Sequence, residues 1–292
     1  MHDTAAVRAY ELVNGFRASQ LVRLAIQLKI PDLLADGPHS HEELSAATGI
    51  EASRLRRKLP GLGEHLTETV QTGRTGWQIV FGTSLWGLLD RDSDYAQRFN
   101  RAMVAASQTV AEFVAAGSDF STASVIVDVG GGTGALAAGI LQAHTGLRAI
   151  VCDLAAGLAG TREYLSQLGV LDRCSIVESD FFVSVPEGGD VYLLKNIIHD
   201  WDDENAALIL SACRRAMASS ARILIIERLL PARVTDEPAH LNAVMTDLQM
   251  MVQLGGRERT EGEYRSLLEG AGFKFSKSTS GSLFGMVEAI AP

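Results

Sequence analysis

The sequence predicts a doubly wound α/β domain over residues 124–292, preceded by a smaller helical domain. Three observations carry this. Short apolar runs alternate with helix-period segments from Ser124 onward, the pattern of βαβ units in a mostly parallel sheet. One of those runs, Val125-Ile126-Val127-Asp128-Val129, breaks into Gly130-Gly131-Gly132-Thr133-Gly134 and then an alanine-rich segment. That is a buried strand, a tight turn and a helix whose first N–H groups are free to meet a ligand. Upstream, apolar residues recur at helical spacing over 4–34, and a helix-turn-helix pattern follows.

Composition bounds the remaining classes. A chain of 292 residues is long enough for two domains. Apolar residues at 47% and charged residues at 21% suit a soluble globular protein, and no apolar run approaches the roughly 20 residues of a membrane-spanning helix. Met1-His2-Asp3-Thr4 lacks a basic patch followed by an apolar stretch, so a cytoplasmic location without a secretory signal is expected. A net charge of −9 argues against general affinity for nucleic acid or anionic membranes, leaving only a local basic patch open. Cys152, Cys174 and Cys213 are widely spaced and form no CxxC pair, so they read as small buried hydrophobes.

Taken in order, residues 4–34 carry Val7, Tyr10, Val13, Phe16, Leu21 and Leu24 in a stripe wider than a small domain needs. It suggests packing on a second subunit, hence a homodimer, with an ordinary core helix as the alternative. Over 39–59, Ser40 caps a helix with Glu43 three residues on, Gly49 turns the chain, and a second helix from Ser53 bears Arg54, Arg56, Arg57 and Lys58. DNA binding by a ligand-responsive regulator is therefore an alternative function, which the acidic chain and the large downstream domain disfavour. No strand pair follows to make a wing. The wing is either lost, or residues are absent near 58–71. Domain bounds are 1–80 for this helical part, 81–123 for linking helices and 124–292 for the α/β domain. Phe81, Trp86, Phe99 and Met103 in the linking helices can roof an aromatic pocket or simply pack in a core.

In the α/β domain the strand candidates are 125–129, 148–152, 174–177, 191–194 and 223–226, separated by helices near 135–143, 158–168 and 204–217. A helix at 263–270 then leads to strands near 273–277 and 283–290, whose short link suits an antiparallel hairpin. Ligands of such sheets bind outside the carboxyl ends of the strands. There stand Asp153, able to take both ribose hydroxyls, then Asp180 beside Phe181, then Lys195 and His199. Acidic residues ending three successive strands, Asp128, Asp153 and Asp180, disfavour a phosphate ligand, and no lysine in the turn supports a P-loop. Ribose, adenine and a positive sulfonium fit better.

The runs Asp128-Val129-Gly130-Gly131-Gly132-Thr133-Gly134, Ser179-Asp180-Phe181-Phe182, Leu193-Leu194-Lys195-Asn196-Ile197-Ile198-His199-Asp200-Trp201, Glu227 in Ile225-Ile226-Glu227-Arg228, and Gly255-Gly256-Arg257-Glu258-Arg259-Thr260 together resemble the S-adenosylmethionine-dependent small-molecule O-methyltransferases. That family includes the plant caffeate and flavonoid enzymes and bacterial polyketide-tailoring relatives. The resemblance implies a Rossmann-like methyltransferase sheet with a C-terminal antiparallel hairpin, and a winged-helix-like N-terminal domain that dimerises. It implies S-adenosyl-L-methionine as cofactor and S-adenosyl-L-homocysteine as product, contacted by Gly130, Gly132, Asp153, Leu154, Asp180, Phe181 and Lys195. His199 then matches the catalytic base, and Glu227 and Glu258 the acidic residues flanking it. Where the family carries a His-Asn pair, this chain has Val252-Gln253, which leaves the acceptor's identity open. A small aromatic natural product, such as a polyketide in antibiotic biosynthesis, is the expected acceptor. Its pocket would draw on Trp86, Phe99, Met103, Met250, Met251 and Gln253.

Methyl transfer from a sulfonium is an in-line displacement in which the protein supplies position and a base. A phenol titrates near about 10 and histidine near about 6.5, so a neutral imidazole takes the proton as the oxygen attacks rather than beforehand. Either glutamate can orient the other ring nitrogen. Locally, His199 also reads as a structural loop histidine. Asp200, Asp202 and Asp203 read as solvated or helix-capping residues, with Asp202 the N-cap, and no metal-ligand spacing is present. Altered chemistry on the same cofactor site, hydroxylation or decarboxylation, is the enzymatic alternative.

Overall fold

The structure, a computed structural model, describes residues 29–33, 39–49, 66–235, 237–281 and 284–292. Most of the 4–34 stripe, the basic helix from Ser53 and most of the 58–71 stretch lie outside the described residues. The chain divides into two compact units, Met1–Leu85 with Val234–Glu258, and Trp86–Arg233 with Arg259–Pro292.

In the first unit a helical turn, Ile30–Leu33, precedes α1 (His41–Thr48), α2 (Leu66–Thr72) and α3 (Gly76–Phe81). α1 begins where local chemistry dictates. The Ser40 hydroxyl accepts from the Glu43 N–H at 3.2 Å, the Glu43 carboxylate accepts from the Ser40 N–H at 2.7 Å, and Gly49 ends the helix at φ 71°. Thr75 and Gln78 form the same reciprocal cap on α3. Among the described residues of this unit all regular structure is helical.

The second unit opens with α4 (Leu85–Arg91) and the 25-residue α5 (Ser93–Gly117). Then follow β1 (Val125–Val129), α6 (Ala135–Ala143), β2 (Arg148–Asp153), α7 (Thr161–Gln167), β3 (Cys174–Glu178), β4 (Val191–Lys195), α8 (Asp203–Ala216) and β5 (Arg222–Glu227). A two-residue strand, β6 (Leu229–Leu230), precedes α9 (Pro238–Gln253), which returns to the first unit and packs against α2 and α3 through Val70, Leu248, Met251 and Val252. β7 (Arg259–Thr260), α10 (Glu261–Gly270), β8 (Lys274–Ser280) and β9 (Gly285–Ile290) complete the second unit.

Its seven-stranded sheet runs β3-β2-β1-β4-β5-β9-β8. β1 to β5 pair in parallel, and the β8–β9 hairpin adds antiparallel strands at the edge, as the sequence predicts. The hairpin link is tighter than expected: Gly281 donates to the Phe284 carbonyl at 2.8 Å, so β8 extends to Ser280. α10 also starts two residues early, because Thr260 and Glu263 cap it reciprocally.

Alternation along the strands sends side chains to two apolar layers. Val127, Tyr192 and Ile225 pack under α8 and α10 with Ile209 and Tyr264; Ile126, Leu193 and Leu224 pack under α5 and α6 with Val110 and Leu136. α5 and α6 touch closely. A Cβ placed on Gly139 would lie 2.4 Å from that of Ala111, so this contact demands glycine. Cys152 and Cys213 are buried among these layers and Cys174 is half-buried; burial pushes the thiol of Cys152 up to about 12 and that of Cys174 up to about 11. No helix among the described residues is long and apolar enough to cross a membrane.

Candidate active site

Every candidate side chain of the second unit lies at the carboxyl end of a parallel strand or on α4 and α5. After β1 the chain turns through Gly130, Gly132 and Gly134 at φ 65°, 53° and 76°, a left-handed series only glycine adopts readily. Asp128, just before the turn, is fully buried and accepts from the Ala137 N–H at 3.2 Å, at the start of α6. Burial raises its carboxyl to about 7. A carboxyl whose folded pKa exceeds its unfolded value stabilises the fold fully below about pH 4, and that contribution is lost as pH rises through about 7. Wild type is therefore expected to lose up to ~4 kcal/mol of stability relative to Asp128→Asn between pH 4 and pH 8. Urea midpoints of the two proteins at both pH values check this; parallel pH profiles refute it.

Asp153 ends β2. Its Oδ2 accepts from the Gly132 N–H at 2.9 Å and its Oδ1 from the Leu154 N–H at 2.7 Å, and burial raises its pKa. Gly157 presses on the same carboxylate, since a Cβ there would lie 2.5 Å from Cγ. Leu154 is 45% exposed. Asp180, after β3, is exposed, and its Oδ1 accepts from the Phe182 N–H at 2.9 Å. Phe181 leans toward the glycine turn, 3.4 Å from where a Cβ on Gly130 would sit. Lys195 ends β4 and donates to Ser107 Oγ at 3.1 Å, with burial lowering its pKa. Gly130, Gly132, Asp153 and Phe181 thus meet at the carboxyl ends of the parallel strands, with Lys195 beside them.

Asn196 follows at φ 55°, a conformation asparagine tolerates, and swings the chain into a tight 3₁₀ turn, Ile198–Asp200. Glu227, at the end of neighbouring β5, is wholly buried and anchors that turn. Its Oε1 accepts from the N–H groups of Ile197 and Ile198, each at 3.0 Å, while Oε2 faces His199 Nδ1 at 3.2 Å. Asp200 corrects the sequence reading. It is not solvated but 7% exposed, with Oδ1 at 3.3 Å from His199 Nε2. A main-chain bend folds it inward, and an acidic run gives no sign of that. Asp202 is the N-cap of α8, as expected, accepting from the Asn205 N–H at 2.8 Å.

Arg259, from the Gly255–Thr260 run, underpins the same turn. Fully buried, it donates to the carbonyls of Ile198 at 3.0 Å and Trp201 at 2.9 Å, and to the Asp203 carboxylate at 2.8 Å. Asp203 is 56% exposed, so the carbonyl bonds carry most of the effect. Arg259→Leu strands both carbonyls and is expected to cost about 3–5 kcal/mol, read as a lowered denaturant midpoint; a loss below about 1 kcal/mol would refute the role.

An aromatic chain starts at Trp201, two residues after His199 in sequence. Trp201 stacks on Trp86 at 6.1 Å and meets Phe181 edge-on at 6.2 Å, and Trp86 meets Phe99 edge-on at 6.5 Å. Met103 is 38% exposed on α5. Met250, Met251, Gln253 and Glu258 belong to the first unit. There Met250 and Met251 are buried, Met251 within that unit's own apolar cluster, and Gln253 accepts from Gln249 at 3.5 Å. Glu258 is buried, its N–H donating to Asp247 at 2.8 Å.

The model of the O-methyltransferase domain matches residues 64–274, and that of the O-methyltransferase dimerisation domain matches residues 10–62, the stretch whose helix-turn-helix pattern had raised DNA binding. The chain belongs to the O-methyltransferase family. It is 33% identical to a mitomycin biosynthesis 6-O-methyltransferase of Streptomyces lavendulae, covering 92% of this chain and 89% of that one. It is 34% identical to the phenazine O-methyltransferase PhzM of Lysobacter antibioticus, covering 91% and 90%. The solved O-methyltransferase NcsB1 from neocarzinostatin biosynthesis, in complex with S-adenosyl-L-homocysteine and 1,4-dihydroxy-2-naphthoic acid, superimposes with a TM-score of 0.70 at 26% identity over 94% of this chain and 95% of that one. The protein is an S-adenosylmethionine-dependent O-methyltransferase.

The groove suits that cofactor. A carboxylate offers about four acceptor positions, and Asp153 spends two on the N–H groups of Gly132 and Leu154, leaving two for vicinal hydroxyls. A Cβ on Gly132 would meet nothing closer than 3.9 Å, so the backbone there is open to a ligand.

Proposed function

We propose that the protein methylates a phenolic hydroxyl of a small aromatic natural product, with His199 as general base. The observation supporting this is the imidazole held between two buried carboxylates where β4 and β5 end. S-adenosylmethionine, when bound, supplies an electrophilic methyl group on its sulfonium. Asp153 would take the ribose hydroxyls and Asp180 the adenine amine, with Gly130, Gly132, Leu154 and Phe181 lining the groove. Lys195, anchored on Ser107, would fix its polar end. Glu227 accepts the Nδ1 proton, which leaves the Nε2 lone pair to take the acceptor's proton. A proton arriving at Nε2 then meets the Asp200 carboxylate, so the imidazolium has an anion at each nitrogen.

Glu258 immediately precedes Arg259, which is bonded to the His199 turn, and is the further acidic residue in this reading. Trp86, Phe99 and Met103 would shape the acceptor site. Phenazine and mitomycin, named in two relatives, are multi-ring compounds that such aromatic and thioether side chains suit. Residues 10–62 would join two copies in a cytoplasmic homodimer. The test is calorimetric titration with S-adenosylmethionine, then mass-spectrometric assay of hydroxylated naphthoates and phenazines for gain of one methyl group. Cofactor binding without methylation of any hydroxylated member would count against the reading.

A further inference from the structure

Asn100, Met103, Ser107 and Val110 recur at three- and four-residue intervals on α5 and so share one stripe of its surface. Two polar side chains of that stripe reach out of the helix. The Asn100 carboxamide donates to the carbonyls of Ala156 at 3.2 Å and Gly157 at 3.4 Å, in the loop between β2 and α7. Seven residues on, Ser107 Oγ accepts from Lys195 Nζ and donates to the Met103 carbonyl at 2.8 Å.

The loop Asn100 grips is not an ordinary connection. Gly157 bears directly on the Asp153 carboxylate, which holds the Gly132 N–H, and Thr161 at the loop's far end donates to the Gly132 carbonyl at 2.9 Å. Three contacts therefore link Asn100 to the glycine turn. Met103 lies between the two anchored positions with its side chain partly exposed. Packing alone would be met by an apolar residue at position 100; two hydrogen bonds to adjacent carbonyls fix the loop's height against the helix.

We infer that Asn100 is a positioning residue, a latch that couples filling of the nucleotide groove to ordering of the Met103 stripe on α5. This rests on the cofactor reading of Asp153 and the glycine turn. Coupling of this kind is reciprocal: whatever orders the loop orders the helix face, and the reverse.

Hydrogen exchange of the full chain, followed by mass spectrometry with and without saturating S-adenosylhomocysteine, tests it in wild type, Asn100→Ala, Asn100→Asp and Asn100→Gln. In wild type the ligand slows exchange at 128–135 and at 96–107. In Asn100→Ala the slowing at 128–135 persists while that at 96–107 falls by about 5-fold or more. Asn100→Asp, of the same shape but without a donor, behaves like the alanine variant and serves in its place should alanine disturb folding; Asn100→Gln, which keeps a donor, recovers part of the effect. Equal slowing of 96–107 in wild type and alanine variant overturns the latch, as does absence of slowing there in wild type. Absence of slowing at 128–135 in wild type overturns the cofactor reading and the latch with it.

Discussion

His199→Ala should lower kcat by about 10²–10⁴-fold while S-adenosylhomocysteine binds as in wild type, because a positioned general base contributes about that much and the cofactor groove is built from other residues. The ring's surroundings favour that role. Both nitrogens of a 5%-exposed imidazole face carboxylates, Glu227 at 3.2 Å and Asp200 at 3.3 Å, and a neutral ring has only one N–H to give. In the proposed base role Glu227 holds the Nδ1 proton and Asp200 faces the nitrogen that would receive the acceptor's proton. Single-turnover rates with saturating cofactor would check the prediction. Turnover retained within about tenfold in the variant would mean that the acceptor reaches the site already ionised or loses its proton elsewhere. Loss of cofactor binding together with turnover would instead make His199 a structural residue of the turn.

Much of this site was readable because its signals are local. A strand breaking into glycines, acidic residues at the ends of three successive strands and a Ser-x-x-Glu cap are written within a few residues, and β1, α6 and α1 fall where those patterns put them. What escaped depends on main-chain direction or on distant partners. Asp200 sits in a run of aspartates that looks solvated, yet the positive φ of Asn196 and the three-residue 3₁₀ turn rotate it inward beside the histidine. Arg259 lies 60 residues from the turn it supports, so nothing near it in sequence marks the carbonyls of Ile198 and Trp201 as its targets. Met251 shows the reverse case. Its polarizable side chain reads as pocket lining, and the described unit commits it to an apolar cluster with Val70 and Leu248. Periodicity reports that a residue is buried but not by what.

Glu227 is where stability and chemistry should separate most clearly. One oxygen holds three backbone N–H groups, of Ile197, Ile198 and His199, and the other faces the His199 ring, so the two jobs belong to different atoms of one side chain. Glu227→Ala removes both and leaves these three N–H groups buried without that acceptor, at about 1–3 kcal/mol each, so loss of fold and of activity are expected together. Glu227→Gln is more informative. Its single carbonyl oxygen stays with the three N–H donors, which outnumber any other claim on it, and the NH₂ turns toward Nδ1. An NH₂ donating to Nδ1 places the ring proton on Nε2, the nitrogen that must be bare to act as base. Stability is then expected within about 1 kcal/mol of wild type, while kcat falls by about 10³–10⁴-fold, the size of effect seen when a carboxylate orienting a catalytic histidine becomes an amide. Denaturant midpoints and single-turnover rates on the same preparations measure both. A glutamine variant that folds and turns over like wild type would show that Nδ1 is oriented by another group and that Glu227 serves the turn alone.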